Sequence, residues 1–501
     1  MKTKNQKRKK NDTYELIYNT CFFLYLYLVS FLLLFYVHDA YYDLMESKAS
    51  CFSFITLLML PFLVVTSFIR YIKNKERLIE NLLDLGLIFL LITSLLSTVF
   101  SLAPDYSLSG EAGWQIGFYA IGSLIMIYFA LKGGPFEQKT VYIPVIFACA
   151  AQFLLSITDA MKMDLFHFRE VIAYSLYFNY YGTIGNCNWY VGLMSLLVPL
   201  FVCLYLGEKR TDMKYLYFFV SILGIVVSVL NGADSIYAAY GFCAFFMMPF
   251  VLRSTANLKR ISVLIIISAV SFLAISYLPP FSERLMYMEG YGNFLIHPIT
   301  DTVLIVLGIL LYLFSSKIKE EQYDKFAGRI ILICEIVLGI AVLFVLAKIV
   351  SGFSDDFGNK RGEIWRISFE VFSNDYDIIR KLFGVGPELL VEIYTGMSEE
   401  TGMIYNSAHN EAIHMLMSMG IFGFVSWAIC WLSIFLSYFR FKNRKSGLIF
   451  GLYSGLFAYF GQSMFNSATT LNLCALTLIA ILLSQNASSS SFVLLNEKKE
   501  K

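Results

Sequence analysis

The sequence predicts an all-α, polytopic membrane protein: a bundle of about 14 transmembrane helices with one large loop between late helices. Two observations support this. Hydrophobic residues make up 57% of the 501 residues and charged residues only 15%. Apolar runs of roughly 17–25 residues recur along the chain, and such runs cross about 30 Å of hydrocarbon. The predicted spans are 16–37, 50–69, 81–101, 114–131, 141–157, 189–206, 214–230, 236–252, 261–278, 299–316, 330–350, 411–439, 447–465 and 471–485.

The distribution of Lys and Arg predicts the orientation of these helices, because both residues collect on the cytoplasmic side of a membrane. With the N-terminus inside, the inner segments hold 29 of the 39 Lys and Arg residues. Both termini are therefore expected in the cytoplasm. The chain divides into a basic cytoplasmic tail (1–15), eleven helices with short loops (16–350), an extracytoplasmic loop (351–410), three further helices (411–485) and a cytoplasmic tail (486–501).

Charges inside the predicted spans argue against an ion-coupled transporter. Asp84 and Glu335 lie near the cytoplasmic ends of their spans, where they can pair or reach the interface, and Asp301 and Lys348 lie near outer ends. No span carries a series of charges at mid-membrane, as a proton relay would. The basic tail is either an orientation signal or a contact for anionic lipid headgroups.

Cysteine, metal and nucleic-acid signals are weak. Of the nine cysteines, only Cys187 falls in a predicted outer segment, so no internal disulfide is expected. The outer loops contain no His, Cys and carboxylate cluster at metal-ligand spacing. No stripe of basic and aromatic residues suggests nucleic acid.

The loop 351–410 carries the chemistry-bearing residues. If 361–372 is helical, Arg361, Trp365, Phe369 and Phe372 share one face. An arginine held on a packed face is suited to bind a phosphate oxyanion through two hydrogen bonds. The alternative is an arginine that reaches the membrane interface.

His409 opens the apolar stripe of the next predicted helix. A histidine in a first helical turn feels the positive end of the helix dipole, which favours the neutral imidazole, and a neutral imidazole can act as a general base. The alternative is a helix-terminus residue that only donates a hydrogen bond. His414 lies off that stripe and is the weaker candidate. Gly384 and Gly386, followed by Pro387, supply flexible backbone and then a fixed turn.

The order Arg-x-x-x-Trp, Gly-x-Gly and Ala-His-Asn before a late hydrophobic span resembles the O-antigen ligase and polymerase superfamily of bacterial envelope glycosyltransferases. The segments 182–188 and 460–466 resemble that family's Gly/Asn segment and late polar break. The resemblance implies an enzyme of the bacterial cytoplasmic (inner) membrane. Such an enzyme transfers an undecaprenyl pyrophosphate-linked glycan to a glycan or glycolipid acceptor at the outer face, without cofactor or metal. Membrane lipids and other polysaccharide-assembly proteins are further expected partners.

By motif position, the resemblance implies that His409 is the general base and that Arg361 holds the donor pyrophosphate. Trp365, Asn410, Gly384 and Gly386 fall in the same substrate-binding region. The family commonly has an arginine in a turn that here contains Asp234. A second phosphate-binding cation must then come from elsewhere, and the candidates are Arg284, Arg366 and Arg169.

Two alternatives stay open at this point. Polymerase and ligase share this chemistry and differ in the acceptor. A lipid-linked oligosaccharide flippase has a similar length and a similar number of spans, although it has little use for an outer loop of this size.

Overall fold

The computed structural model describes residues 13–110, 115–134, 138–288, 290–390, 393–394, 407–440 and 446–487. Within them the protein is almost entirely helical, which confirms the predicted all-α class. Its β-structure is one antiparallel pair of two-residue strands, β1 (Tyr180–Tyr181) and β2 (Gly185–Asn186), with Tyr180 opposite Asn186.

Nineteen α-helices follow one another along the described residues, the first continuing as a π-helical stretch over Leu28–Leu33. They are α1 (Thr13–Tyr27), α2 (Leu44–Asn74), α3 (Leu82–Val99), α4 (Pro104–Ser109), α5 (Phe118–Leu131), α6 (Gln138–Ala160), α7 (Cys187–Gly207), α8 (Thr211–Asn231), α9 (Ser235–Val251), α10 (Thr255–Tyr277), α11 (Ser282–Met286), α12 (Gly290–Leu295), α13 (Pro298–Lys317), α14 (Glu320–Ser351), α15 (Phe357–Asn374), α16 (Ile378–Phe383), α17 (Glu411–Arg440), α18 (Gly447–Ser463) and α19 (Thr470–Ala487).

Each predicted span coincides with one of these helices. Ten helices of the described residues are long and apolar enough to cross a membrane, and the other predicted spans fall on α5, α9, α18 and α19, which are not among those ten. The largest difference in bounds is at α14, which begins ten residues before the predicted span. Its first turns are charged, and a helix needs no apolar side chains to continue beyond hydrocarbon, because its backbone hydrogen bonds are internal.

Helix α7 forms the centre of the bundle, and it packs most closely against α18. Gly447, Gly451 and Gly455 of α18 face it at four-residue spacing. A Cβ at Gly455 would lie 2.2 Å from the Leu196 carbonyl oxygen. Small residues at this spacing let two membrane helices approach backbone to backbone. By contrast, few residues of α14 are buried, as expected for a helix that faces lipid.

Contacts between loops lie at two separate ends of the bundle. At one end, named here the Arg70 end, Arg70 donates to the Lys132 carbonyl oxygen (2.8 Å) and Gln485 donates to the Gly134 carbonyl oxygen (2.9 Å). At the other, the Arg361 end, the Leu102 amide donates to the Val385 carbonyl oxygen (3.1 Å). These contacts join only segments predicted on the same side of the membrane.

The predicted loop 351–410 has a small core of its own in its described part. Apolar side chains of α15, of residues 385–390 and 393–394 and of the start of α17 pack together, separately from the core of the bundle. This gives the residues at the Arg361 end a rigid support, which a functional site needs. The buried members are Ile364, Ile367, Val371, Tyr376, Val385, Leu389, Leu390, Tyr394, Ala408, Ile413 and Met417.

Candidate functional site at the Arg361 end

The local backbone places Arg361 at the start of the regular part of α15. Residues 358–360 have positive φ angles, so the chain turns sharply before the helix proper begins. Gly362 then passes against the backbone of Ser354, where a Cβ would lie 1.9 Å from the carbonyl oxygen. Only a glycine at position 362 allows this close approach, and the approach sets the position of the neighbouring Arg361.

The Arg361 guanidinium is only partly satisfied. Its Nη1 donates to the Gly358 carbonyl oxygen (3.0 Å), and its Nη2 makes a long contact of 3.4 Å to Asn466 Oδ1. Its Nε is buried and has no hydrogen-bond partner in the described part of the chain. Burial lowers the pKa of Arg361, while Cys187 and Asp234 oppose that shift. A buried arginine with unused donors is poised to bind an anion.

Asn466 connects Arg361 to α9. Its Nδ2 donates to Ser235 Oγ (2.8 Å) and to Gln462 Oε1 (3.1 Å), so its Oδ1 is directed at the arginine. Residues 460–466, the late polar break that resembles the family's, thus contact Arg361 of the loop motif through Asn466.

Arg284 approaches this region from α11. It is 4% exposed, and its Nε donates to the Leu230 carbonyl oxygen (2.7 Å). Its Nη2 lies against Gly232, where an added Cβ would be only 2.0 Å away. Neither Nη has a hydrogen-bond partner among the described residues. Arg284 therefore supplies a cation to the very turn, 231–235, in which the family commonly has an arginine.

Cys187 lies close enough to Arg284 and to Arg361 for the charge of each to act on its thiol. Asp234 also faces Arg361. Burial raises the pKa of the Asp234 carboxyl, against the opposing effects of the Tyr291 amide and Arg361. Both arginines therefore lie in the neighbourhood of Cys187.

His409 lies beside this region but not in a helix. Its φ is +46°, and α17 begins two residues later, with Asn410 as the capping residue whose Oδ1 accepts from the Ile413 amide (3.1 Å). The expectation that the first-turn dipole keeps this imidazole neutral was therefore wrong about the cause. Burial lowers the pKa of His409 to about 4, and the Arg361 charge adds to the shift. The imidazole is neutral at physiological pH.

Trp365 and Asn410 hold the His409 segment in place. Trp365 Nε1 donates to the Ala408 carbonyl oxygen (2.9 Å), and Asn410 Nδ2 donates to the Met464 carbonyl oxygen (3.0 Å). Both side chains donate to backbone carbonyl oxygens, so their role here is to position the histidine.

Gly384 and Gly386 serve packing. Both have positive φ angles. A Cβ at Gly384 would lie 2.2 Å from the Ser418 carbonyl oxygen, and one at Gly386 would lie 2.1 Å from Ser107 Oγ. The Gly-x-Gly segment thus fastens the loop to α4 and α17.

Two other expectations are corrected by the structure. Arg366 does not join the arginine pair: it lies on the exposed face of α15, bound to Asp355 (2.9 Å) and Glu370 (3.0 Å). The packed face of α15 is formed by Ile364, Ile367 and Val371, whereas Phe369 of the predicted stripe is 51% exposed.

Arg169 is held away from Arg361 by its other nitrogens, although its buried Nε has no hydrogen-bond partner among the described residues. Its Nη1 donates to the Asp159 carbonyl oxygen (2.8 Å), and its guanidinium lies 4.3 Å from the Tyr177 ring centroid. In the described residues, no group of three or more His, Cys, Asp and Glu side chains could hold a metal ion.

Two buried ionisable residues, Glu388 and Glu411, were not among the predicted site residues, and His414 was ranked below His409. Glu411 lies inside the predicted span 411–439, so a complete search of that span for ionisable residues would have found it.

Comparison with protein families matches residues 299–428 to the O-antigen ligase family. The matched segment runs from α13 into α17 and contains Arg361, Trp365 and His409. The match confirms the resemblance to the O-antigen ligase superfamily that the motif order indicated. No curated protein matches the chain significantly.

Proposed function

We propose that this protein is a glycosyltransferase with a lipid-linked donor. The premise is that residues 299–428 form an O-antigen ligase domain in a multi-pass membrane protein. The donor is an undecaprenyl pyrophosphate-linked glycan, bound at the outer face of the bacterial cytoplasmic membrane. The termini are then cytoplasmic and the Arg361 end faces outward. The observation that carries the proposal is the pair of buried, incompletely bonded arginines beside a neutral histidine.

The arginines supply electrostatic stabilisation. The leaving group is a lipid pyrophosphate, and its negative charge increases as the bond to the sugar breaks. Guanidinium groups fixed in a buried site stabilise such charge far better than water does, because they need no reorganisation. Arg361 offers Nε and Nη2, and Arg284 offers both Nη groups. The charge of the leaving group is then neutralised by the chain's own side chains.

His409 is the proposed general base. It takes the proton of an acceptor hydroxyl while that oxygen forms a bond to the anomeric carbon of the donor sugar. The bond between that carbon and the pyrophosphate oxygen breaks, and its electrons leave with the lipid pyrophosphate. The proton then passes from His409 to water.

Donor binding adjusts the strength of this base. The Arg361 charge lowers the pKa of His409 in the free protein. A pyrophosphate bound to Arg361 offsets that charge, so the pKa of His409 rises toward its usual range and the imidazole becomes a stronger base. Proton abstraction is therefore favoured once donor is present, which limits unproductive chemistry at the empty site.

The test compares three variants of the full-length protein. We expect His409→Ala and Arg361→Ala each to abolish product from a lipid-pyrophosphate-linked glycan, with normal amounts of protein in the membrane. Arg366→Ala is the matched control, because that arginine is exposed and paired elsewhere. Full product from either of the first two variants contradicts the proposal.

Polymerase, ligase and flippase predict different products and precursors. Purified protein given a single lipid-linked repeat unit forms a ladder if it polymerises, and makes one transfer to an added acceptor if it ligates. In cells that lack the protein, outward-facing single units accumulate for an extracytoplasmic transferase. Inward-facing units accumulate for a flippase.

A further inference from the structure

A second polar cluster consists of Glu388, Glu411, His414 and Tyr459. It has no part in the mechanism above. His414 Nε2 lies 3.3 Å from Glu388 Oε1. Tyr459 Oη donates to Glu411 Oε1 at 2.5 Å. Glu388 and Glu411 are 8% and 5% exposed, so both carboxyl groups are buried.

The cluster has hydrogen-bonding capacity to spare. His414 Nδ1 is buried and has no hydrogen-bond partner within the described residues. Buried polar groups in proteins are almost always paired, so an unpaired one needs an explanation, such as a ligand that supplies the partner. Glu388 also has a positive φ of 64°, a conformation that non-glycine residues rarely adopt and that is concentrated at functional sites.

This cluster forms the polar end of an apolar cavity of about 180 Å³. The cavity runs from the loops of the Arg361 end into the bundle between α3, α5, α17 and α19. Its polar lining includes Ser407 and Glu411, which lie two residues before and two residues after His409. Leu87, Leu124, Trp427 and Leu476 are among its apolar lining residues.

The chemistry of the cluster indicates what binds there. An apolar cavity within the bundle suits a lipid chain. Two buried carboxyl groups offer a phosphate no positive charge, so the headgroup beside them is not the donor pyrophosphate, which the arginines attract. Carboxylates and an imidazole nitrogen accept or donate hydrogen bonds to sugar hydroxyls. The fitting ligand is an uncharged, hydroxylated amphiphile.

We propose that this cavity is the acceptor site, and that the acceptor is a neutral glycolipid with a short headgroup. The lipid chain fills the cavity, the headgroup hydroxyls bond to Glu388, His414 and Glu411, and one hydroxyl reaches His409. Ser407 lines the cavity and its Oγ accepts from the His409 amide (3.4 Å), so the reacting sugar lies close to the lipid chain. The inference rests on the proposed function and selects transfer to a lipid anchor over chain polymerisation.

The test is photo-crosslinking, which needs no turnover. Full-length protein in nanodiscs is irradiated with a dodecyl glucoside that carries a diazirine in its alkyl chain, and the labelled peptides are mapped by mass spectrometry. We expect labels on α3, α5 and α17, with competition by dodecyl glucoside but not by dodecyl phosphate. Labels confined to the lipid-exposed surface, or equal competition by dodecyl phosphate, overturn the proposal.

Matched variants separate the cavity from the bundle surface. Ala480 lines the cavity, and Leu313 of α13 is 45% exposed. We expect Ala480→Phe to reduce cavity labelling about ten-fold, as loss of a well-filled apolar contact does, and Leu313→Phe to leave it unchanged. Should Ala480→Phe fail to fold, Glu388→Gln against the exposed Glu370→Gln makes the same comparison. If both variants of a pair fold and are labelled equally, the cavity is not the binding site.

The outcomes also distinguish this inference from the proposed function. If Arg361→Ala keeps full activity while cavity labelling behaves as expected, the transferase mechanism fails and the amphiphile site stands. If Arg361→Ala is inactive but the cavity takes no label, the mechanism stands and the acceptor site lies elsewhere.

Discussion

The two ends of the bundle both carry buried arginines, but the two sets are used differently. At the Arg70 end, every guanidinium nitrogen of Arg70 is occupied: Nε by Glu76 (3.2 Å), Nη1 by the Tyr18 hydroxyl (3.0 Å) and Nη2 by the Lys132 carbonyl oxygen (2.8 Å). At the Arg361 end, Arg284 uses only its Nε, and the Nε of Arg361 is unpaired within the described chain.

The difference separates structural cations from cations that await a ligand. Burying a charge is costly unless it is paired and hydrogen-bonded, so Arg70 and its partners are held by their mutual contacts. The neighbouring pair of Lys132 and Asp84 (2.7 Å) follows the same rule. Arg361 and Arg284 lack part of this set of partners, and under the proposed function a bound pyrophosphate supplies the rest. The same residue type then stabilises one end and binds the donor at the other.

The largest effects are expected from substituting one arginine of each kind. Arg70→Gln removes donors from three acceptors, two of them buried oxygens, and should lower the free energy of unfolding by on the order of 3 kcal/mol. Arg284→Gln should cost less stability than Arg70→Gln, because the Leu230 carbonyl oxygen that loses the Arg284 Nε keeps the Tyr181 hydroxyl as a donor (2.9 Å), and it should lower turnover about 100-fold, because the charged leaving group loses its partner. Thermal denaturation in detergent and glycan transfer from a lipid-linked donor measure the two effects.

Arg366→Gln is the control for both measurements and should change neither. The comparison fails if Arg284→Gln loses as much stability as Arg70→Gln, since Arg284 would then be a structural cation as well.

Thiol labelling reports the same contrast without turnover. The charges of Arg284 and Arg361 both act on Cys187, so an anionic methanethiosulfonate reagent should modify it faster than a cationic one, by about ten-fold at low salt. Inorganic pyrophosphate should slow the anionic reagent. The preference should disappear in Arg284→Gln and in high salt, and mass spectrometry of the Cys187 peptide measures it. Equal rates for both reagents in the unaltered protein would show that the arginines create no anionic-ligand site.

The titration of His409 gives a smaller effect with a defined sign. Its pKa is lowered to about 4, first by burial and then by Arg361. Carbethoxylation requires neutral imidazole, so the reaction at His409 should fall off only as the pH drops through about 4. In Arg361→Gln the midpoint should rise above 4 but stay below the ordinary 6.5, because burial remains. Peptide mapping across a pH series measures it, and Arg366→Gln should leave the midpoint in place.

Much of the fold was predictable because it follows from properties of single segments. The length of each apolar run was enough to predict the helices that coincide with predicted spans. The Lys and Arg distribution divided the loops into two groups, and the loop contacts described above join segments within one group. The start of α14 was mispredicted because its charged turns extend the helix past the apolar run. The packed face of α15 was mispredicted because helical spacing alone does not say which of two mixed faces meets the neighbouring loop.

The site was predictable only where its residues are close in sequence. Arg361, Trp365 and His409 were identified from their order, because they lie in one loop. The approach of Arg284 to the 231–235 turn depends on how α11 packs, and the contact of Arg361 with Asn466 joins residues 105 positions apart. No local pattern encodes either contact, although the departure at Asp234 indicated that a cation had to come from elsewhere.

The smallest predicted effect concerns how the His409 segment is held. Trp365→Phe removes the hydrogen bond from Nε1 to the Ala408 carbonyl oxygen and keeps an aromatic ring against Phe353, whose centroid lies 6.1 Å away. We expect a loss of about 1 kcal/mol in stability and a several-fold fall in turnover, with the Michaelis constant for donor unchanged. The reason is that the histidine is displaced while both arginines stay in place. An increase in that constant with unchanged turnover would instead place Trp365 in direct contact with the donor, so this variant decides whether the tryptophan positions the base or binds the substrate.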